Sequence, residues 1–135
     1  MNSSAPEVSP FRTWNGRDLF AIFPGVNLHA IGGEQVLLCR VVYEPGKTVK
    51  RHAHAASEQV MVIVEGEVEV TIGAETQTMR PGDACVMNRG VEHELRTVGG
   101  VTFFEALAPV PLDHVPDRQR DLVLGPDDGA GHVQH

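Results

Sequence analysis

The sequence lacks most of the features that mark specialised classes of protein. Only two of its 135 residues are cysteine, too few for a disulfide framework or a cysteine-rich zinc site. No apolar run reaches the roughly 20 residues that a membrane-spanning helix needs. The opening stretch MNSSAPEVSP has neither the basic region nor the apolar region of a secretory signal. These absences predict a protein without membrane contact that stays in the cytoplasm.

Positive charge is also scarce, because 11 Lys and Arg residues stand against 18 Asp and Glu residues, giving a formal net charge of -7. A surface of that sign repels the phosphate backbone, and no helical DNA-reading motif is present. We therefore expect no nucleic-acid partner. Cys39 and Cys85 both stand in apolar runs, so we expect them to be small buried hydrophobes.

Helical periodicity is missing too, and short β-branched runs separated by Gly, Pro and Asn fill the middle of the chain. In residues 67–72 (EVEVTI), apolar side chains take alternate positions, as in a strand with one buried face. This rhythm predicts an all-β barrel or sandwich. We divide the chain into an N-terminal arm with the first strands (1–34), a barrel domain (35–111) and a C-terminal extension with a solvated tail (112–135).

Two histidines one residue apart interrupt the strand pattern in GKTVKRHAHAASEQ. Residues i and i+2 of a strand point to the same face, so His52 and His54 can converge on one metal ion, for which imidazole is the commonest ligand. A third histidine, His93, follows another Gly-punctuated strand. Lys50 is in phase with the first pair and is a candidate cation for an anionic substrate, unless it faces solvent. Arg40, a charge among apolar neighbours, has a comparable claim.

Spacing around these histidines resembles the two sequence motifs of the cupin family. The first motif is Gly, five residues, His-x-His, three or four residues, Glu, six residues and Gly. Its counterparts here are Gly46, His52, His54, Gln59 and Gly66. The second motif is Gly, five residues, Pro-x-Gly, two residues, His, three residues and Asn. Its counterparts are Gly82, Asn88, Gly90, His93 and Thr97, with Asn88 replacing Pro and Thr97 replacing Asn. The resemblance implies a small single-domain cupin, an RmlC-like double-stranded β-helix or jelly-roll barrel.

The resemblance also implies one divalent transition metal per chain, of which Zn, Ni, Fe and Mn are the candidates. The implied ligands are His52, His54, Gln59 and His93. Glu58 competes with Gln59 for the fourth position, but only Gln59 is separated from Gly66 by six residues. A slip of one residue turns a strand side chain to the opposite face, so only one of the two can face the ion. A neutral amide oxygen would leave the ion a stronger Lewis acid than a carboxylate would.

This ligand pattern is similar to that of the KdgF family, small cupins that linearise unsaturated uronates during pectin breakdown. That family has an acid and a Phe on its last barrel strand and, beyond a proline pair, an Arg for the substrate carboxylate. Here Glu105 stands for the acid and Leu107 for the Phe, but no Arg lies near Pro109 or Pro111. The resemblance therefore implies metal chemistry without fixing a uronate substrate. Glu105, if its strand turns it inward, and Lys50 are our candidate catalytic residues.

The expected function is that of a metal-dependent enzyme acting on a small oxygenated molecule, such as a sugar acid or a dicarbonyl. Lewis-acid chemistry of the lyase, isomerase or cyclase type suits the neutral ligand set. Two alternatives stay open at this point. One is a non-heme metal dioxygenase, and the other is a small-molecule sensor or binding cupin without catalysis.

The apolar pattern of one strand predicts that the protein forms an oligomer. Residues 59–64 (QVMVIV) are apolar on both faces beyond the first position, which is typical of a strand that is covered on both sides. The barrel core can cover only one of these faces. We therefore expect a homodimer, in which the N-terminal segment and a second subunit cover the outer face.

Overall fold

The computed structural model describes residues 10–16 and 18–110, and within them every regular element is a strand. The ten strands are β1 (Phe20–Phe23), β2 (Val26–Gly32), β3 (Leu37–Tyr43), β4 (Thr48–His52), β5 (Glu58–Gly66), β6 (Val68–Ile72), β7 (Glu75–Met79), β8 (Ala84–Met87), β9 (His93–Arg96) and β10 (Val101–Ala108). The predicted all-β class is confirmed. In this part of the chain, nothing qualifies as a helix able to span a membrane. The extension predicted for 112–135 lies outside the described residues.

All strand pairs are antiparallel, and they build two sheets. The larger sheet has the strand order β1-β2-β3-β10-β5-β8, and the smaller sheet has the order β4-β9-β6-β7. Strands that follow each other in the chain often lie in different sheets, as β3 and β4 or β7 and β8 do. That arrangement is a jelly-roll barrel, in which the inward side chains of both sheets form one core.

The inner face of the larger sheet carries a row of side chains that crosses four strands. In register, Glu105 on β10 lies opposite Cys39 on β3 and opposite Met61 on β5, and Met61 lies opposite Cys85 on β8. Cys39 is fully buried, as expected. The expectation for Cys85 is only partly met, because β8 is the edge strand and leaves this side chain half-buried.

A bulge in β4 corrects the prediction for Lys50. Val49 pairs with Leu95 and His52 pairs with His93, so two residues of β4 lie opposite one residue of β9. Val49 and His52 are buried, whereas Lys50 and the residue after it are exposed. An extra residue breaks the alternation of a strand. Lys50 therefore does not share a face with His52 and is exposed, which is the alternative that the sequence left open, so its selection as a candidate catalytic residue loses its basis.

The outer faces of the two sheets differ in polarity. The smaller sheet carries ion pairs, among them Arg51 with Glu92 at 2.9 Å and Arg96 with Glu69 at 2.6 Å. Three of the six strands of the larger sheet, β3, β5 and β8, carry exposed apolar side chains, which are Leu38, Val60, Val62, Val64 and Val86. One part of this sheet is covered by the N-terminal segment, because Trp14 stacks on His29 and on Phe104.

Candidate metal centre

Three buried histidines meet at one end of the barrel. His52 ends β4 and lies opposite His93, the first residue of β9, and His54 lies in the loop that follows β4. Their possible ligand atoms all lie within 4.8 Å of one another. Nitrogens on opposite sides of an ion are about 4 Å apart when each bond is 2.0–2.1 Å long. A small inward movement of the imidazoles would therefore bring them to a single divalent ion.

Backbone carbonyls set the tautomers of two of these imidazoles. The Nδ1–H of His52 donates to the carbonyl oxygen of Lys50 at 2.7 Å, and the Nδ1–H of His93 donates to that of Val91 at 3.1 Å. A carbonyl can only accept, so each Nε2 keeps its lone pair, as a metal ligand requires. The Nε2 of His93 is buried and has no hydrogen-bond partner. A buried acceptor without a donor is unfavourable, and a metal ion would relieve it.

Gln59 adds an oxygen at the same end of the barrel. Its side chain is buried, whereas that of its neighbour Glu58 is exposed. The amide Nε2 donates to Oε1 of Glu105 at 2.5 Å, and the amide Oε1 is buried without a hydrogen-bond partner. The structure thus places the residue that the motif spacing favours on the inner face, and its ligation of a metal stays a prediction. Together the orphaned oxygen and the orphaned imidazole nitrogen fit a cation.

Burial shifts two titrating groups of this cluster in opposite senses. Burial, and then the neighbouring His52, lowers the pKa of His93 to about 4, so the imidazole is neutral at neutral pH. Burial raises the pKa of Glu105 to about 7, and the hydrogen bond from Gln59 opposes this rise. The hydrogen bond from the buried Gln59 agrees with the predicted inward orientation of Glu105. A carboxyl group with that pKa can accept or donate a proton near neutral pH.

Other residues singled out from the sequence lie elsewhere. Arg40 is on the outer side of β3, where it lies in register between His29 and Phe104. Neither Arg40 nor Lys50 lies among the buried residues that surround the histidines. The two cations proposed for an anionic substrate therefore do not lie beside the three histidines.

A cation that sequence reasoning missed lies at the mouth of the barrel. Arg89, in the turn between β8 and β9, lines a cavity of about 510 Å³ together with Glu58, Asn88, Ala108 and Pro109. No strand periodicity identifies a turn residue of this kind. The available signal was its position inside the second motif, between Asn88 and the glycine that precedes His93.

Sequence comparison places this geometry in a known family. The Cupin domain profile matches residues 39–105. Over 115 residues the chain is 31% identical to "Polyketide synthase CurC" of Streptomyces cyaneus, an alignment that covers 81% of this chain and 72% of that protein. The chain belongs to the cupin family. The resemblance carried by the two motifs is thereby confirmed.

Solved cupin structures share the fold of this cupin. An RmlC-like cupin from Shewanella frigidimarina superposes with a TM-score of 0.73 and 21% identity over 79% of this chain and 96% of that one. KdgF from Halomonas sp. superposes with a TM-score of 0.67 and 19% identity over 78% and 94%. Identities this low establish the fold and leave the substrate open.

Proposed function

We propose that this cupin is a metal-dependent enzyme that moves a proton within a β-dicarbonyl substrate, by isomerase or cyclase chemistry. The observation that carries the proposal is the pair of buried, unpartnered acceptors, Gln59 Oε1 and His93 Nε2, in a cluster with two further imidazoles. The ligands would be His52, His54, Gln59 and His93. A divalent ion held there would polarise a carbonyl oxygen of the substrate.

Glu105 is the residue to which we assign the proton transfer. Its carboxylate is anchored by the amide of Gln59 at 2.5 Å, so its free oxygen has a fixed position on the inner face. The nearest strand positions on that face are apolar and fully buried, as Phe103 and Leu107 are. They exclude water that would compete for the proton. Glu105 takes a proton from the carbon between two carbonyl groups and returns it to another carbon or oxygen atom, with no net oxidation.

The substrate class rests on the relative and on this chemistry together. CurC is described as a polyketide synthase protein, and polyketide chains carry carbonyl groups on alternate carbons. The hydrogens between two such carbonyls are acidic, so one carboxylate beside one Lewis acid suffices to remove them. Proton transfer of this kind needs no redox change at the metal, which separates it from a dioxygenase.

The test is to reload chelated protein with Zn, Ni, Fe or Mn and to follow linear β-polyketone acids by NMR, in air and under nitrogen. We expect the redox-inert Zn form to turn over without consuming oxygen. Glu105→Gln should lower kcat by about 10²-fold or more with unchanged metal content, whereas the control Glu65→Gln, at an exposed position of β5, should not lower kcat. Strict dependence on oxygen would replace the proposal by the dioxygenase. Binding without turnover in every metal form would replace it by the sensor.

A further inference from the structure

The cavity at the mouth of the barrel is built by three segments that meet at the metal end. They are the start of β5, the end of β10 and the turn after β8, which contribute Glu58, Pro109 and Arg89 respectively. The cavity measures about 510 Å³, enough for a small organic molecule. It is therefore a place where part of a substrate can lie outside the ligand cluster.

Hydrogen bonds tie this rim to the metal centre. The N–H of Gly90, the residue after Arg89, donates to the carbonyl oxygen of His54 at 2.9 Å. The buried hydroxyl of Ser57 donates to the carbonyl oxygen of Pro109 at 2.6 Å. The turn after β8 and the end of β10 are thus both hydrogen-bonded to the segment between β4 and β5, which carries His54. The backbone that carries Arg89 therefore has a fixed position relative to the imidazoles.

The guanidinium of Arg89 differs in its ion pairing from the arginines on the smaller sheet and its turns. Arg51, Arg80 and Arg96 each form an ion pair with a glutamate. Arg89 has no hydrogen bond or ion pair with any other residue in the described part of the chain, although the carboxylate of Glu58 borders the same cavity. A guanidinium presents a planar fork of donors that matches a carboxylate. This one is left available to a ligand.

We infer that Arg89 binds a carboxylate of the substrate, and that the substrate is therefore a free acid with its dicarbonyl unit toward the metal. The inference rests on the proposed function, because it names the substrate class of the same site. Glu58 opposes the binding, since its carboxylate repels the same anion across the cavity.

The experiment measures binding of 3,5-dioxohexanoate and of its methyl ester by calorimetry, to the Zn-loaded and to the chelated protein. We expect wild type to bind the acid about tenfold or more tightly than the ester, the usual effect of a hydrogen-bonded charge. Arg89→Gln should abolish that preference and Arg89→Lys should keep part of it. Glu58→Gln should increase the preference, and Arg80→Gln, a matched exposed arginine, should leave it unchanged.

The outcomes separate this inference from the proposed function. Equal binding of acid and ester by wild type, no binding of either, or a preference that survives in Arg89→Gln would each overturn it. If no metal form turns over but the preference depends on Arg89, the carboxylate site stands and the catalytic proposal falls. If wild type and Arg89→Gln turn over the acid with equal KM, the catalytic proposal stands and the carboxylate site falls. Thermal unfolding of each variant checks that the fold is intact.

Discussion

The two faces of strands β5 and β10 have the reverse of the usual polarity near the metal end. Inward they present the amide of Gln59 and the carboxyl of Glu105, and outward they present valines such as Val60 and Val62. An antiparallel sheet normally buries its apolar face and exposes its polar one. Buried polar groups cost free energy unless they are satisfied, and exposed apolar patches mark surfaces that bind something. We therefore expect an ion to bind at the inner face and a second protein surface to cover the outer face.

The largest effect on the inner face is expected from His93→Ala. Removing one of three imidazoles takes away the ligand with the orphaned Nε2, so metal content should fall from about one ion per chain to nearly none. Elemental analysis of protein purified without chelator measures it. His29→Ala is the matched control, because His29 stacks on Trp14 at the outer face and should not affect the metal. Wild type that is metal-free and fully active would contradict the metal centre.

The outer face is tested by Val62→Lys. We expect wild type to be a homodimer, because Val60, Val62 and Val86 leave 38–51% of their surfaces exposed. A charge at the centre of such an interface would be desolvated without a partner, so the dimer dissociation constant should rise by at least about 10²-fold. Light scattering at micromolar concentration reports the mass. Thr78→Lys, at an exposed position opposite Glu69 on the outer face of the smaller sheet, should leave it unchanged, and a 14.6 kDa species for wild type would refute the dimer.

The adjacent residues Gln59 and Glu58 of β5 test which face of the strand supplies the metal ligand. Gln59 is buried and Glu58 is exposed. Gln59→Ala should therefore weaken metal binding by about 10- to 100-fold, and Glu58→Ala should have little effect. Competition with a chromophoric chelator measures both affinities. The reverse ranking would show that Glu58 is the ligand and that the strand register differs by one residue.

The smallest effect concerns the pH dependence of folding in chelated protein. Between pH 4 and 6.5 the unfolded state protonates His93 and the native state does not, so the free energy of unfolding rises with pH. Between pH 4.5 and 7 the native state keeps a proton on Glu105 that the unfolded state has lost, so the same free energy falls with pH. The two contributions oppose each other and should leave wild type nearly flat.

Glu105→Gln removes one of these contributions. The unfolding free energy of that variant should rise from pH 4 to 6.5 with a slope of at most about 1.4 kcal/mol per pH unit. Urea denaturation in the presence of chelator, at several pH values, measures it. A variant profile as flat as that of wild type would mean that His93 is not held neutral by burial.

Sequence reasoning succeeded where residues obey strand periodicity or a fixed motif spacing. Alternation placed Glu105 on one face with Phe103 and Leu107, and the motif spacing brought three histidines together. It failed at Lys50, because a bulge adds one residue that no periodic pattern can reveal. It missed Arg89, because a side chain in a turn has no periodicity and its neighbours come from β5 and β10.

The bulge in β4 also determines how the length of this segment can vary. Two exposed residues, Lys50 and Arg51, separate the inward Val49 from the inward His52. Deleting one of them would restore simple alternation and leave His52 facing inward, so a chain shorter by one residue should still bind metal. Deleting both would place His52 directly after Val49 and turn its imidazole to solvent. We therefore expect the site to tolerate deletion of one of the two residues Lys50 and Arg51, but not deletion of both.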